Sequence, residues 1–428
     1  MTPRFTIPGF RWFIAALLLA VTLINYTDRL TISVLVKNIL EDLHLNEADY
    51  SQIISLFLVA YAVMYAGSGY VVDLLGTRMG MAFFVCAWSI FQMLHALAAG
   101  KWSLALCRFG LGLAEPGSFP AATKAVGEWF PPGQRALGVG IFNAGSSLGA
   151  AVAAPLAAFI GLRFGWRTAF VITGALGLVW VVVWLLLYDT PKRNRCLDQK
   201  EPASFSPSGF GPGFSAPDPR PQTPRPRPLA VLTSRAGFML VVARFLTDPV
   251  IYFVSFWLPA YLEKERGFDL AMIGRYAWLP YAFGGVGYLA GGWLSGRTMR
   301  AGWSLGKSRK AAMTVGAMLM PAAILAPLVP FSWMAIALMC VIVLGHAIWV
   351  ANLMTLPADL FPPGQVATAA GFSGMGGAIA GAVANLGIGW VVMHFSYLPI
   401  FICAGLLHPT AIALLWRFLP ERLFPKMP

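Results

Sequence analysis

Apolar residues run along this chain in blocks of about twenty, the length a helix needs to cross the hydrocarbon core of a bilayer, with polar punctuation between the blocks. The blocks predict spans over residues 12–36, 50–72, 79–99, 102–124, 136–158 and 167–188. A second series follows over 236–261, 271–297, 311–330, 332–355, 365–392 and 398–418. A soluble helix of such length carries a polar face at helical spacing, and few of these segments do. The expected fold class is therefore an all-α membrane protein of twelve transmembrane helices.

A single long polar gap divides the series into two sets of six. The domains expected are an N-terminal six-helix bundle over 1–188, a cytoplasmic flexible linker over 189–233 and a C-terminal six-helix bundle over 234–428. The linker is rich in Pro, Ser, Gly and Arg, as in Pro219-Arg220-Pro221-Gln222-Thr223-Pro224-Arg225, and cannot bury a core. The two halves echo each other. Glu128-Trp129-Phe130-Pro131-Pro132-Gly133-Gln134 precedes span five, and Asp359-Leu360-Phe361-Pro362-Pro363-Gly364-Gln365 precedes span eleven. Each is followed by a Gly-xxx-Gly pair, Gly145/Gly149 and Gly377/Gly381. Two pseudo-symmetric bundles around a central loop describe a transporter with its site between the halves.

Composition agrees. The chain is 58% hydrophobic and only 11% charged, against roughly 25% charged in soluble domains, so it lacks the polar surface to face water all round. A net charge of +13 raises nucleic acid as a partner, but the cations sit in short loops rather than on one basic face, which excludes that class. Cys86, Cys107, Cys196, Cys340 and Cys403 show neither a disulfide framework nor metal spacing. The first apolar run has no small-residue cleavage site and reads as a retained span. With both termini cytoplasmic, 21 of the 31 Lys and Arg fall in cytoplasmic segments, 7 on the other side and 3 (Arg29, Arg108, Arg244) inside spans. That threefold bias sets the orientation.

Charges inside a bilayer cost at least about 2.5–3.5 kcal/mol each at a helix centre, so the few present indicate function. Span one carries Asn25-Tyr26-Thr27-Asp28-Arg29, and span four carries Arg108 and Glu115, seven residues apart on one helix face. Pro116-Gly117 directly after Glu115 predicts a helix break of the kind found beside cavities. An arginine facing a cavity binds a carboxylate by paired hydrogen bonds. If an anionic substrate takes over that arginine, the neighbouring acid protonates more easily, and substrate and proton bind together. The competing reading makes Asp28–Arg29 and Arg108–Glu115 ion pairs that only tie helices together. Span seven holds Arg244 and Asp248 at i, i+4, a spacing at which the pair can equally neutralise itself. His346, Trp349 and Asn352 share a face of span ten and can meet substrate hydroxyls or pack. Ser373 of span eleven is a further candidate contact. His95 and His394 lie near span ends and are expected at the interface.

Gly69-xxx-Asp73-xx-Gly76-x-Arg78, between spans two and three, combines turn glycines with charges at helix ends. It suits a gating loop that locks helix ends together. No phosphate-binding Gly-Lys-Ser/Thr loop accompanies it, which excludes an ATP-driven pump, and no nucleophile–base or metal constellation supports an enzyme.

The same loop resembles the signature of the major facilitator superfamily. Asn25 to Arg29, Arg108-Phe109-Gly110-Leu111-Gly112 through Glu115, and Phe119-Pro120-Ala121-Ala122 resemble the anion:cation symporter family within it. The run from Lys124 to Asn143, the stretch Phe245-Leu246-Thr247-Asp248-Pro249 and the stretch Ala351 to Asp359 are similar to hexuronate transporters. The resemblance implies proton-coupled uptake of a sugar acid such as glucuronate or galacturonate. It implies proton coupling by Asp28 and Glu115, and a substrate site including Arg29, Tyr61 and Arg108, to which Asn143 and Ser146 of span five are added. The sequence departs from the galactonate branch, which has an amide side chain at Ser146, and Leu74 stands where the signature loop commonly carries a basic residue.

The expected function is thus a proton symporter for a monocarboxylic sugar acid in the bacterial inner membrane. It would act as a monomer, with the proton as co-transported ion and no other cofactor. The alternatives are an organophosphate or other organic-anion antiporter, with arginines facing each other across the halves, and less directly a drug exporter or a nutrient sensor.

Overall fold

The computed structural model describes residues 9–191, 193, 228–268, 272 and 275–425. Its order of helices follows the twelve blocks. The first six spans are Phe10–Val34, Glu47–Leu75, Thr77–Leu94, Lys101–Ala114 continued by Ser118–Trp129, Pro132–Phe164 and Trp166–Leu187. The second six are Arg235–Arg266, Leu279–Arg300, Leu305–Leu319 continued by Ala322–Leu325, Ser332–Leu353, Val366–His394 and Leu398–Phe418. Nine helices among the described residues are long and apolar enough to cross a membrane. Spans four, eight and nine are not among them, since span four is broken at Pro116-Gly117, span nine at Pro321, and span eight is glycine-rich.

Local chemistry explains the boundaries. Asn46 caps span two by accepting from Asp49 N, while Asp49 accepts from Asn46 N in return. Ser234 caps span seven through Gly237 N at 3.0 Å. Gly76 turns the chain between spans two and three at φ +79°, a conformation a side chain resists. The anticipated linker ends earlier than its expected boundary: Pro228–Thr233 is a short helix with Val231 buried. The Pro-rich run 219–225 lies outside the described residues, as does Cys196.

The repeat is visible in packing. In each half the Gly-xxx-Gly pair lets its span press against the first span of that half. A Cβ on Gly145 would lie 2.4 Å from Leu19 O, and one on Gly149 2.5 Å from Leu23 O. On span eleven, a Cβ on Gly377 would lie 1.9 Å from Asp248 Oδ2 and one on Gly381 2.3 Å from the Tyr252 ring. The glycines thus make room for backbone in one half and for site side chains in the other.

The halves close on each other at the end that carries both termini. Span two crosses span eleven where a Cβ on Gly69 would meet Ala367 O at 2.1 Å, and span five crosses span eight where one on Gly140 would meet Tyr288 O at 2.3 Å. Between them remains a cavity of about 10 Å³ lined by Thr123, Arg244, Met354, Pro357, Ala370 and Ser373, space for about one water.

Candidate functional site

The helix break expected at Pro116-Gly117 is present as a turn of 3-10 helix, Glu115–Gly117. It aims the Glu115 side chain across to span one, where Arg29 Nε donates to Oε2 at 3.0 Å and Nη2 lies 2.8 Å from the same oxygen. The pair therefore runs from Arg29 to Glu115, and neither of the two ties considered from sequence, Asp28–Arg29 or Arg108–Glu115, is among the described ion pairs. Glu115 is fully enclosed while about a quarter of the Arg29 side chain remains accessible.

Arg29 lies among aromatic rings. Its guanidinium carbon stands 4.6 Å from the Tyr61 centroid, 5.1 Å from Tyr26 and 6.0 Å from Phe57. Tyr61 meets Tyr65 edge-on at 5.5 Å. From the other half, Arg244 Nε donates to Asp248 Oδ2 at 2.7 Å, leaving Oδ1 without a partner. Tyr65 and Tyr252 stand within the field of both Arg244 and Asp248. Two acid-paired arginines, one per half, thus face a shared tyrosine-lined centre. Tyr26, Tyr65, Tyr252 and Tyr288 were not anticipated. Their apolar bodies made them unremarkable within hydrophobic blocks.

The neighbours of Arg29 turn elsewhere. Asp28 is fully buried inside the N-terminal bundle, where Thr173 and Trp88 are its side-chain hydrogen-bonding neighbours. Arg108 is 1% exposed, with its guanidinium carbon 5.7 Å from the centre of the Phe57 ring. Asn143 donates to Val139 O of its own helix, and Ser146 Oγ donates to Asn143 O at 2.6 Å. Tyr288 approaches Ser146 from span eight. The polar face of span ten points into the C-terminal bundle. There Trp349 Nε1 donates to Thr247, Asn352 Nδ2 to Gly291 O, and His346 Nδ1 lies 3.1 Å from His408 Nε2. Packing is the role this geometry supports for Trp349 and Asn352. Ser373 lines the small inter-half cavity and donates to Leu240 O. His95, expected at the interface, is instead fully buried and stacked on Phe170, whereas His394 is exposed.

The Gly69–Arg78 loop meets the opposite half. Asp73 pairs with Lys124 at 2.7 Å and accepts from Thr368 N at 2.7 Å and Thr368 Oγ1 at 2.6 Å. Arg78 binds Leu185 O within its own half. A second tie was not foreseen: Asp359 takes Arg135 on one oxygen at 3.0 Å and Arg309 on the other at 2.8 Å, all three buried. Arg309 also donates to Pro132 O of the other half. Both arginines looked like exposed loop cations in the sequence. The clue available was the repeat itself, which aligns Asp359 with Glu128. Glu128 stays within its half, accepting from Thr77 and Tyr188. No group of His, Cys, Asp and Glu suited to a metal occurs among the described residues.

A family model, Major Facilitator Superfamily, matches residues 18–385. The chain is 32% identical over 420 residues to the hexuronate transporter of Escherichia coli K12, covering 97% of this chain and 95% of that one. It is 35% identical over 317 residues to the galacturonate transporter of Dickeya chrysanthemi, covering 74% and 90%. Among solved structures, the proton:xylose symporter XylE superposes with a TM-score of 0.73 at 15% identity, over 97% of this chain and 98% of that one. The Escherichia coli fucose:proton symporter gives 0.69 at 14%, over 94% and 98%.

Proposed function

The chain belongs to the major facilitator superfamily, and from that premise we propose that it imports a sugar-acid monocarboxylate together with a proton. It is a multi-pass membrane transporter and not an enzyme. The cargo reading is supported by the relatives named for hexuronate and galacturonate and by the charges at the centre. The observation that carries the proton is the single-oxygen grip of Arg29 on Glu115.

The charges balance in a way that selects the cargo. Arg29, Arg108 and Arg244 face Asp28, Glu115 and Asp248, three cations against three carboxylates. A monoanion arriving alone would leave an uncompensated charge in a low-dielectric centre, which is costly. A monoanion arriving with one proton leaves none. Its carboxylate takes the paired donors of Arg29, Glu115 is released and protonates, and the sugar hydroxyls face the tyrosines. A dianion such as an organophosphate would need two protons for the same balance, so the antiport reading is the weaker one.

The excess of Lys and Arg on the termini side supports cytoplasmic termini. With that orientation the closed end faces the cytoplasm. Opening the cytoplasmic end requires the Asp73–Thr368 and Arg135–Asp359 ties to part, which gives the Gly69–Arg78 loop its gating role.

The test is uptake into proteoliposomes of labelled glucuronate, galacturonate and glycerol 3-phosphate, with and without an inward proton gradient. Sugar-acid accumulation should require the gradient, and Glu115→Gln should equilibrate substrate without concentrating it. Gradient-independent uptake, or concentration by Glu115→Gln, would sink the reading.

A further inference from the structure

The interior of the N-terminal bundle holds a second polar region, turned away from the tyrosine-lined centre. Spans one, three, four and six supply it. Seven side-chain atoms there are enclosed and meet no hydrogen-bond partner: Asn25 Nδ2 and Oδ1, Ser89 Oγ, Gln92 Oε1, His95 Nε2, and Arg108 Nε and Nη2. All five residues are at most 1% exposed, and Asp28, engaged by Thr173 and Trp88, lies among them. Buried polar groups left unpaired cost about 1–3 kcal/mol each, so a cluster of this size is not what packing alone selects.

The groups form a sequence along the bundle. Gln92 Nε2 donates to Thr173 Oγ1 at 3.0 Å and to Asp28 O at 3.3 Å, which fixes its Oε1 as a free acceptor. His95, one turn further along span three, lies 2.7 Å through Nδ1 from Phe91 O. A carbonyl only accepts, so Nδ1 carries the proton and Nε2 is a bare lone pair. The ring is held by stacking on Phe170 at 4.9 Å and 5°, one turn before Thr173. Donors and acceptors are both present: the Asn25 amide and the Arg108 guanidinium offer hydrogens, while Asn25, Gln92 and His95 offer lone pairs. Water is the molecule that serves both kinds of group, and a buried water makes about three hydrogen bonds. Seven free groups therefore match about two waters.

We propose that this region holds a file of water molecules running from His95 to Asp28, and that it is the route by which the proton reaches Asp28 without passing through the tyrosine-lined centre. The proposal rests on the proton-coupled reading above and names its path. His95 Nε2, whose ring has its Nδ1–H held on Phe91 O, fixes the outermost water by accepting a hydrogen bond from it. Each water gives a proton inward as it takes one from outside, and Asp28 receives the last and passes it to Glu115 when substrate frees that acid from Arg29, so one proton is carried and the file is unchanged. The charged groups facing Asp28 are Arg108 and Glu115 of span four, and the one facing His95 is Arg108. The packed faces of spans three and six add neutral Trp88, Ser89, Gln92 and Thr173. Arg108 beside the file disfavours a metal cation in it, so sodium is the weaker occupant.

The test uses the full chain in sodium-free proteoliposomes loaded with a pH-sensitive dye. One readout is labelled glucuronate exchange at equal pH on both sides. The other is proton influx with substrate accumulation under a gradient. His95→Phe keeps the stack on Phe170 and removes the lone pair, and Gln92→Leu removes the neighbouring acceptor. Both should slow proton influx and accumulation by about tenfold or more and leave exchange within about twofold, while His95→Gln, which restores an acceptor, should recover most of the loss. Should His95→Phe fail to fold, Thr173→Val reports on the same file. Accumulation equal to the parent in these variants overturns the route, as does an equal loss of exchange and accumulation. A parent protein showing no proton influx overturns the proton-coupled reading and the route with it. Rescue by sodium would assign the region to a cation.

Discussion

Arg29 holds Glu115 through one carboxylate oxygen, and the planar guanidinium is what would let a substrate carboxylate compete for both donors. Arg29→Lys keeps the charge and loses that fork. Its apparent KM for sugar acid should rise about ten- to a hundredfold, from the loss of roughly 1.5–3 kcal/mol in a charged hydrogen bond, with expression and melting temperature little changed. Uptake kinetics against the parent check this. An unchanged KM would place the carboxylate elsewhere, with Arg244 next in line. At this scale the sequence exposed which charges lie within the spans, because any charge in an apolar block stands out. It did not expose their partners. The seven-residue spacing put Arg108 and Glu115 on one helix face, but the 3-10 turn at Glu115–Gly117 swings the acid off that face. His95 looked interfacial by its place at a span end, yet the stack on Phe170 draws it inside. Side-chain direction at a helix end is a tertiary property.

At the scale of elements, the spans form crossings as close as their glycines permit. Gly69 of span two sits where a methyl group would overlap Ala367 O at 2.1 Å. Gly69→Ala therefore wedges spans two and eleven apart at the closed end, at about 1–3 kcal/mol. Cysteines placed on either side of that crossing should cross-link faster in the parent than in the variant, and equal rates would mean that the helices shift at no cost. The span pattern was legible almost throughout, since block length alone separates membrane helices. What the pattern hid were the interruptions. Span nine breaks at Pro321 and span four at Pro116-Gly117, and only the second was expected, because only it adjoins an acid. The Gly-xxx-Gly repeat announced two related halves, but not that Gly377 makes room for Asp248 Oδ2.

At the scale of the whole molecule, a few charges join the halves. Asp359→Asn leaves Arg135 and Arg309 enclosed with a weaker partner, and removing one member of a buried pair costs about 3–5 kcal/mol. The variant should melt several degrees lower and favour the state open at the end that carries both termini. Labelling of a cysteine in the small cavity beside Ser373 would report the shift, and labelling at the parent's rate would show that Asp359 does not hold the closed form. Counting Arg135 and Arg309 as loop cations served the expected orientation and described neither residue, since both are buried. The charge rule reads which side a residue is on, and says nothing of whether it faces water. The other latch has an asymmetry of its own. Asp73 from one half grips Thr368 from the other partly through main-chain N–H groups, and every amino acid except proline presents that donor. The receiving end is therefore, proline apart, indifferent to sequence drift at position 367 and keeps its main-chain donor whatever stands at 368, where only the hydroxyl of Thr368 is at stake, so the burden of keeping the latch over evolutionary time falls chiefly on Asp73.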